Sequence, residues 1–91
     1  MLIRSQDKTI IVNIDNAFSI AIRDINGAAS IYVGSQGGCC IIAEYSTKEK
    51  AMKVLDMIQK RYEEYETERI YKEGVFKIGT FQMPEDSEVE V

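Results

Sequence analysis

Histidine is absent from all 91 residues of the sequence. Imidazole is the usual general base and a frequent ligand of transition metals near neutral pH, so its absence removes the commonest routes to both. The glutamates between positions 63 and 68 lie near lysines and arginines at helical spacing, as on a solvated, ion-paired helix face. We therefore expect no enzymatic activity, no catalytic residue, no metal site and no cofactor.

Cysteine is scarce, and the two cysteines are adjacent, at Cys39 and Cys40. Neighbours on a strand point to opposite faces, so a disulfide between them would strain the backbone. We expect two reduced, partly buried thiols, because free cysteine is among the most frequently buried residue types. Without further cysteines or histidines, one chain cannot supply the four ligands of a structural zinc site.

Long hydrophobic runs are also missing. No stretch approaches the roughly 20 apolar residues that cross a bilayer. The first residues, MLIRS, lack the basic region, apolar core and cleavage site of a secretory signal. We expect a cytoplasmic protein with no membrane partner.

The net charge of −4 is carried by the end of the chain. Four acidic residues lie between positions 85 and 90, which leaves residues 1–84 neutral. An acidic balance argues against nucleic-acid binding through overall charge. We expect one domain over residues 1–84 and an acidic tail over residues 85–91. The tail is interpreted as a solvated segment, and docking on a basic partner is the alternative.

Residues 1–45 alternate apolar and polar side chains with the period of two that is typical of half-buried strands. Asn26 and Gly27 form the strongest short hairpin signal, since both tolerate the positive φ of a type I′ turn. The glycine-rich loop at residues 34–38 precedes a strand instead of a helix, which favours a hairpin loop over a phosphate-binding loop. These patterns predict an antiparallel β-meander of four to five strands.

The period changes after Tyr45. Residues 46–49, STKE, predict a capping box in which Ser46 caps the helix. Apolar residues then recur at spacings of three and four, which predicts an amphipathic helix over residues 47–71 that ends near Gly74. Residues 75–78 predict another short strand, and in the following segment FQMP, residues 81–84, strand pairing is expected to stop at Pro84. The expected fold class is α+β: the meander, one long amphipathic helix and a short C-terminal strand.

The predicted helix is long for a sheet of short strands, at roughly 37 Å for a rise of 1.5 Å per residue. The apolar residues of its second half would then lack a cover from the same chain. We expect a homo-oligomer, a dimer or larger. The expected interface residues are Ile58, Tyr62, Tyr65, Ile70 and Tyr71.

Arg4 and Arg23 each interrupt an apolar strand pattern. Arginine grips phosphate in a planar, bidentate way, so both are candidates for holding a nucleotide-type small molecule, and Tyr32 or Phe81 would stack on its base. The alternatives are a solvent-face charge that prevents aggregation, and aromatic packing in the core. Similarly, the lysines at positions 48, 50 and 53 form either a solvated face or an anion contact.

Three stretches resemble a family of small proteins found in Firmicutes genomes and their phages. They are MLIRSQDK at the start, EYSTKEKAMKVLDMIQ at residues 44–59 and FQMPEDSEV from Phe81. The resemblance implies a bacterial cytosol and a mobile-element setting, and it carries over no functional residues. In the order of its elements, and not in any motif, the chain is also similar to phage sponge proteins that sequester nucleotide signals of the Thoeris defence system.

Two functional hypotheses follow. The first is a non-enzymatic, phage-type binding protein that antagonises host defence, either by sequestering a small nucleotide or by blocking a partner. The second is a protein-interaction or assembly module that uses the helix and the acidic tail.

Overall fold

A computed structural model describes residues 1–17, 19–35, 37–71 and 79–90, with the backbone alone at residues 25 and 68–71. The elements are β1 (Leu2–Arg4), β2 (Ile11–Asn13), β3 (Ser19–Ile25), β4 (Ala28–Ser35), β5 (Gly38–Tyr45), α1 (Lys48–Tyr71) and β6 (Thr80–Gln82). Short 3-10 turns occur at Ile14–Asn16 and Asp86–Glu88. The protein is therefore α+β, with one long helix between the antiparallel strands and a C-terminal strand, as the sequence predicts.

The strands form two three-stranded sheets. The order β3-β4-β5 makes what we call the central sheet, and the order β2-β1-β6 makes the terminal sheet. All pairs between strands that follow one another in the sequence are antiparallel, whereas β6 pairs with β1 in parallel. The division into two sheets and the parallel pair are features that the alternating pattern alone does not contain.

The hairpins of the central sheet follow their turn residues. Asn26 and Gly27 have φ angles of 52° and 81°, so this turn has the positive φ values of the predicted type I′ geometry. Ser35 ends β4 and Gly38 begins β5 as register partners, which confirms the glycine-rich segment as a hairpin. A β-bulge interrupts the pairing of β4 with β5 and leaves Ile42 as the extra residue.

The terminal sheet joins the two ends of the chain. Ile3 lies at its centre, between register partners Val12 and Phe81. The N–H of Met83 donates to the carbonyl of Arg4 at 3.0 Å, after which Pro84 follows. The prediction that pairing stops before Pro84 is confirmed, while the strand predicted at residues 75–78 lies outside the described residues.

The helix begins one residue later than a Ser46 cap requires. Thr47 is the cap, because its Oγ1 accepts a hydrogen bond from the N–H of Lys50 at 3.2 Å. The predicted capping box on Ser46 is therefore wrong. Ser46 instead donates its N–H and its hydroxyl to Asp86, at 2.8 and 3.1 Å.

One hydrophobic core joins both sheets and the helix. The helix packs on the central sheet, and Ala51, Val54 and Ile58 are buried there as the predicted stripe requires. The remaining core members are Met1, Ile3, Ala29, Ile31, Val33, Ile42, Ala43, Tyr45, Met83 and Val89. No helix in the described part of the chain has both the length and the apolar character needed to cross a membrane.

The acidic segment packs against the rest of the protein. Val89 is 5% exposed and belongs to the core, and Asp86 and Lys50 form an ion pair at 3.4 Å. Over residues 85–90, which we call the C-terminal segment, the chain does not extend into solvent as the sequence interpretation has it. The reason is that this short acidic run also contains an apolar anchor.

Candidate functional site

The four predicted ligand residues do not converge on one site. Arg4 has Ile11 and Gln82 as register partners, which places it on the outer face of the terminal sheet. Phe81 pairs with Ile3 and packs against the core. Because successive residues of a strand alternate between faces, Arg4 and Phe81 lie on opposite sides of the same sheet.

Arg4 and Phe81 both have local structural roles. The Nε of Arg4 donates to the carbonyl of Lys8 at 3.1 Å, which ties the strand to the first hairpin turn. Phe81 is half-buried among core side chains. For these two residues the geometry favours the alternatives, a solvent-face charge and core packing, over a shared grip on a nucleotide.

Arg23 and Tyr32 are brought together on the central sheet. The guanidinium carbon of Arg23 lies 5.1 Å from the centroid of the Tyr32 ring, within the range of a cation–π contact. Their register partners are Ser30 and Ala21, so both side chains stand on the face opposite the buried Ile31. The contact holds a cation and an aromatic ring in a fixed arrangement at the surface.

Ile41 extends this arrangement onto β5. It is the register partner of Tyr32 and is 49% exposed, among the most exposed large apolar side chains of the described residues. The helix packs on the other face of the sheet. We call the surface formed by Arg23, Tyr32 and Ile41 the open face.

A cleft with a volume of about 340 Å³ adjoins the open face. Its lining residues are Gln6, Asp7, Ile41, Ile42, Ala43 and Glu44. It lies at the β-bulge of β5 and shares Ile41 with the open face. We call it the β5 cleft.

Gln6 builds the wall of the β5 cleft. Its N–H donates to the carbonyl of Ile42 at 2.8 Å, and its Oε1 accepts from the N–H of Glu44 at 3.0 Å. Its Nε2 donates to the carbonyl of Pro84 at 3.2 Å. The backbone and side chain of Gln6 thus each satisfy one backbone group on the free edge of β5, a role that sequence reasoning missed because a single glutamine in a turn carries no distinctive signal.

Asp7 contributes a firmly ionised carboxylate. Its Oδ1 accepts from the Ser5 hydroxyl at 2.6 Å and from the N–H and hydroxyl of Thr9 at 3.0 and 2.7 Å. The Ser5 hydrogen bond is the largest of the causes that lower the pKa of Asp7 to about 2. Glu44 also lines the cleft, so the acidic side chains there favour a cation over phosphate.

The residues predicted as an oligomer interface are largely used within the chain. Ile58 is 3% exposed in the core, so it is not accessible to a second chain and its assignment is corrected. Tyr62 and Tyr65 are half-buried against the same core. The side chains of Ile70 and Tyr71 lie outside the described residues, and the homo-oligomer stays a prediction.

Tyr65 is covered by the C-terminal part of the chain. A Cβ added to Gly79 would lie 2.6 Å from Cδ2 of Tyr65, so the ring packs directly on this glycine. The second half of the helix therefore does not protrude bare at Tyr65. Sequence reasoning could not foresee this because the two residues come together only through the pairing of β6 with β1.

The two thiols are free and differ in exposure. Cys39 is exposed, contrary to the expectation of burial, whereas Cys40 is half-buried against the core. The difference follows from alternation along an edge strand, since their register partners are Gly34 and Val33. In the described ranges, no group of three or more cysteine, aspartate or glutamate side chains is placed to hold a metal ion.

The basic patch, which consists of the lysines at positions 48, 50 and 53, lies in the structure beside the acidic tail. The Nζ of Lys50 donates to the carbonyl of Asp86 at 3.0 Å, and the Nζ of Lys53 donates to the carbonyl of Glu90. The Ser46 N–H is the leading cause of the lowered pKa of Asp86. A second candidate surface is therefore the start of the helix, with the C-terminal segment seated on it.

Tyr45 closes the other side of this contact. Its hydroxyl donates to the carbonyl of Pro84 at 2.8 Å, and its side chain is 2% exposed. Burial, followed by the negative charge of Asp86, raises the pKa of Tyr45 above its ordinary value. The hydroxyl therefore stays protonated and keeps donating its hydrogen bond at physiological pH.

Comparison of the chain with family models, with curated proteins and with solved structures gives no match in any of the three.

Proposed function

We propose that the protein is a non-enzymatic binding protein that covers a protein partner with its open face. The observation that carries the proposal is the stack of Arg23 on Tyr32 beside the half-exposed Ile41. Arginine and tyrosine are enriched among the residues that dominate binding energy at protein interfaces, and such residues cluster near the centre of the interface. The cation–π contact reduces the side-chain freedom that binding would otherwise have to remove.

A protein partner fits this surface better than a nucleotide does. Small-molecule sites are concave, whereas the open face is the flat side of a sheet. The adjoining β5 cleft presents Asp7 and Glu44, which repel phosphate. A second cavity, of about 250 Å³ between the helix and β3, has no lysine or arginine among its lining residues.

The charges of the β5 cleft specify the partner further. Asp7 and Glu44 would receive a lysine or arginine side chain, while Ile41 would contact an apolar residue next to it. The partner surface is therefore apolar with a basic rim. Charge complementarity of this kind mainly raises the association rate and the specificity.

The mobile-element setting implied by the sequence resemblance gives this binding a purpose. There, a small protein that covers a functional surface of a host protein would antagonise defence without catalysing a reaction. Sequestration of a nucleotide signal is the competing version, and it needs a cationic pocket that would have to involve more than the open face.

The test compares two single lysine substitutions at matched exposure. Ile41→Lys places a charge in the open face, and Met52→Lys does the same on the helix, where Met52 is 48% exposed. A protein retained from host lysate by the wild-type chain is purified, and its Kd is measured by calorimetry. We expect Ile41→Lys to weaken binding by about 30-fold or more, as for a central interface residue, and Met52→Lys to change it little.

Equal affinities of the two variants would overturn the open face as the binding surface. Native mass spectrometry of the protein purified from its host covers the competing version. Extra mass of nucleotide size, lost in Arg23→Ala, would replace the proposal with sequestration. The same spectrum reports the number of subunits and so tests the expected homo-oligomer.

A further inference from the structure

The start of the helix forms a groove of its own, which uses none of the open-face residues. One wall is the end of β5, with Tyr45 and Ser46, and the other is the first two turns of α1, with Lys50 and Lys53. The C-terminal segment fills this groove in the structure. The chain thus displays what a ligand of the groove looks like.

The first anchor of the segment is a carboxylate. Oδ1 of Asp86 accepts from the N–H of Ser46 at 2.8 Å and from the Ser46 hydroxyl at 3.1 Å. Its Oδ2 lies 3.4 Å from Nζ of Lys50. Two fixed donors and one cation together recognise a charged carboxylate and do not merely tolerate it.

The second anchor is apolar. Val89 lies three residues after Asp86 and is 5% exposed, although acidic residues flank it on both sides. The N–H of Val89 donates to the carbonyl of Asp86 at 3.3 Å, in a 3-10 turn that sets the spacing between the two anchors. Lys53 then binds the carbonyl of Glu90.

Lysines at the start of a helix interact unfavourably with the helix dipole unless an acidic segment binds them. Lys48, Lys50 and Lys53 lie in its first two turns, where the helix dipole favours negative charge. An acidic ligand on this end offsets that repulsion, and two of the three lysines contact the C-terminal segment. The basic patch is therefore matched to the chemistry of what occupies the groove.

We infer that this groove is a recognition site for acidic peptides that carry an aspartate three residues before a valine. Residues 86–89 of the same chain occupy the groove in the structure and would compete with a peptide from another protein. Such a peptide gains access when the C-terminal segment leaves. The groove is thus an interaction surface that the C-terminal segment of the same chain covers until it leaves.

Competition within the chain sets the size of the expected effect. A ligand tethered by a short linker acts at an effective concentration on the order of millimolar, so the wild-type chain binds an added peptide only weakly. Releasing the segment without altering the groove removes this competition. The apparent affinity for the added peptide then rises by about tenfold or more.

The test uses the full chain and a fluorescent peptide with the sequence of residues 84–90. The double variant Asp86→Asn, Val89→Ser removes both anchors of the segment and leaves the groove intact. We expect it to bind the peptide at least about ten times more tightly than the wild-type chain does, because it no longer competes with itself. Fluorescence anisotropy measures both affinities, and circular dichroism verifies the fold.

Matched controls separate recognition from charge attraction. In the double variant, Lys50→Ala is expected to abolish most of the gain in peptide affinity. Lys48→Ala removes the same charge from a lysine that does not bind the C-terminal segment in these contacts, and it is expected to preserve the gain. A folded double variant that binds no peptide, or equal losses in the two lysine variants, would overturn the proposal.

A second measurement applies where the double variant does not fold. The wild-type chain is titrated with excess peptide, and its amide resonances are followed by NMR. Saturable shifts at Ser46 and Lys50 support exchange of the segment for the peptide. Resonances that stay unchanged up to the highest peptide concentration would contradict this exchange.

Discussion

The central and terminal sheets each have three strands, but they are assembled differently. In the central sheet every pair is a hairpin of neighbouring strands, with a turn at residues 26–27 between β3 and β4 and with Ser35 paired to Gly38 where β4 meets β5. The terminal sheet has one such hairpin, β1 with β2, but its other pair joins Leu2 to Thr80, almost the whole chain apart. The pairs of the central sheet are therefore local in sequence, whereas the terminal sheet is complete only when the two ends of the chain come together.

This difference is one of entropy. The entropy cost of closing a short hairpin loop is offset at once by the hydrogen bonds of the hairpin. The β1–β6 pair closes a much longer loop and forms only after the helix has packed. We therefore expect the central sheet and the helix to form early in folding, and the terminal sheet to complete the fold late.

The largest expected effect comes from the central residue of each sheet. Ile31 and Ile3 are both 0% exposed, so Ile31→Ala and Ile3→Ala each cost about 2–5 kcal/mol in the free energy of unfolding. The kinetics distinguish them. Ile31→Ala is expected mainly to slow folding, and Ile3→Ala mainly to speed unfolding, as measured by chevron plots.

Similar kinetic profiles for the two variants would break the comparison. A larger slowing of folding by Ile3→Ala would reverse it, and the terminal sheet would then belong to the folding nucleus. Ile31→Val and Ile3→Val serve as milder variants, with an expected loss of about 0.5–1.5 kcal/mol each, if the alanine variants are too unstable to study.

A smaller effect is expected where the helix meets the terminal sheet. Gly79→Ala would place a Cβ 2.6 Å from the Tyr65 ring, and the overpacking costs about 1–3 kcal/mol. Gly37→Ala in the hairpin of the central sheet is the control, because nothing lies within 4 Å of its added Cβ. Urea denaturation measures both, and a Gly79→Ala variant as stable as Gly37→Ala would show that Tyr65 does not pack as described.

The smallest effect is a dependence on pH. The pKa of Asp7 is lowered from 3.8 to about 2, so its ionised form stabilises the first hairpin at neutral pH, and this contribution disappears as the pH falls through about 2. Asp7→Asn is expected to be less stable than the wild type at neutral pH, with a difference that shrinks on acidification. Denaturant midpoints at neutral and acidic pH measure the difference.

Asp56→Asn, on the exposed surface of the helix, is the control for this measurement. It changes the same charge without removing any bond of the first hairpin turn. An Asp7→Asn deficit that stays constant down to about pH 2, or one that Asp56→Asn shares, would contradict the role given to the Asp7 hydrogen bonds.

The candidate binding surfaces divide in the same way as the sheets. Sequence reasoning singled out Arg23 and Tyr32 individually, and the pairing of β3 with β4 placed them in contact. It grouped Arg4 and Phe81 with them, although alternation puts these two on opposite faces of another sheet. The lysines of α1 and the acids of the C-terminal segment were both noticed, but the sequence does not show that they meet.

The features that depend on neighbouring residues could be predicted from the sequence. Alternation defined the strands, Asn26 and Gly27 defined a turn, and the apolar stripe defined the helix, since each is a response of the backbone to local side chains. Three other features depend on long-range packing: β6 lies beside β1, Gln6 binds the edge of β5, and Val89 enters the core. These contacts join residues that are far apart in the chain, and their free energy exists only when the whole core has assembled.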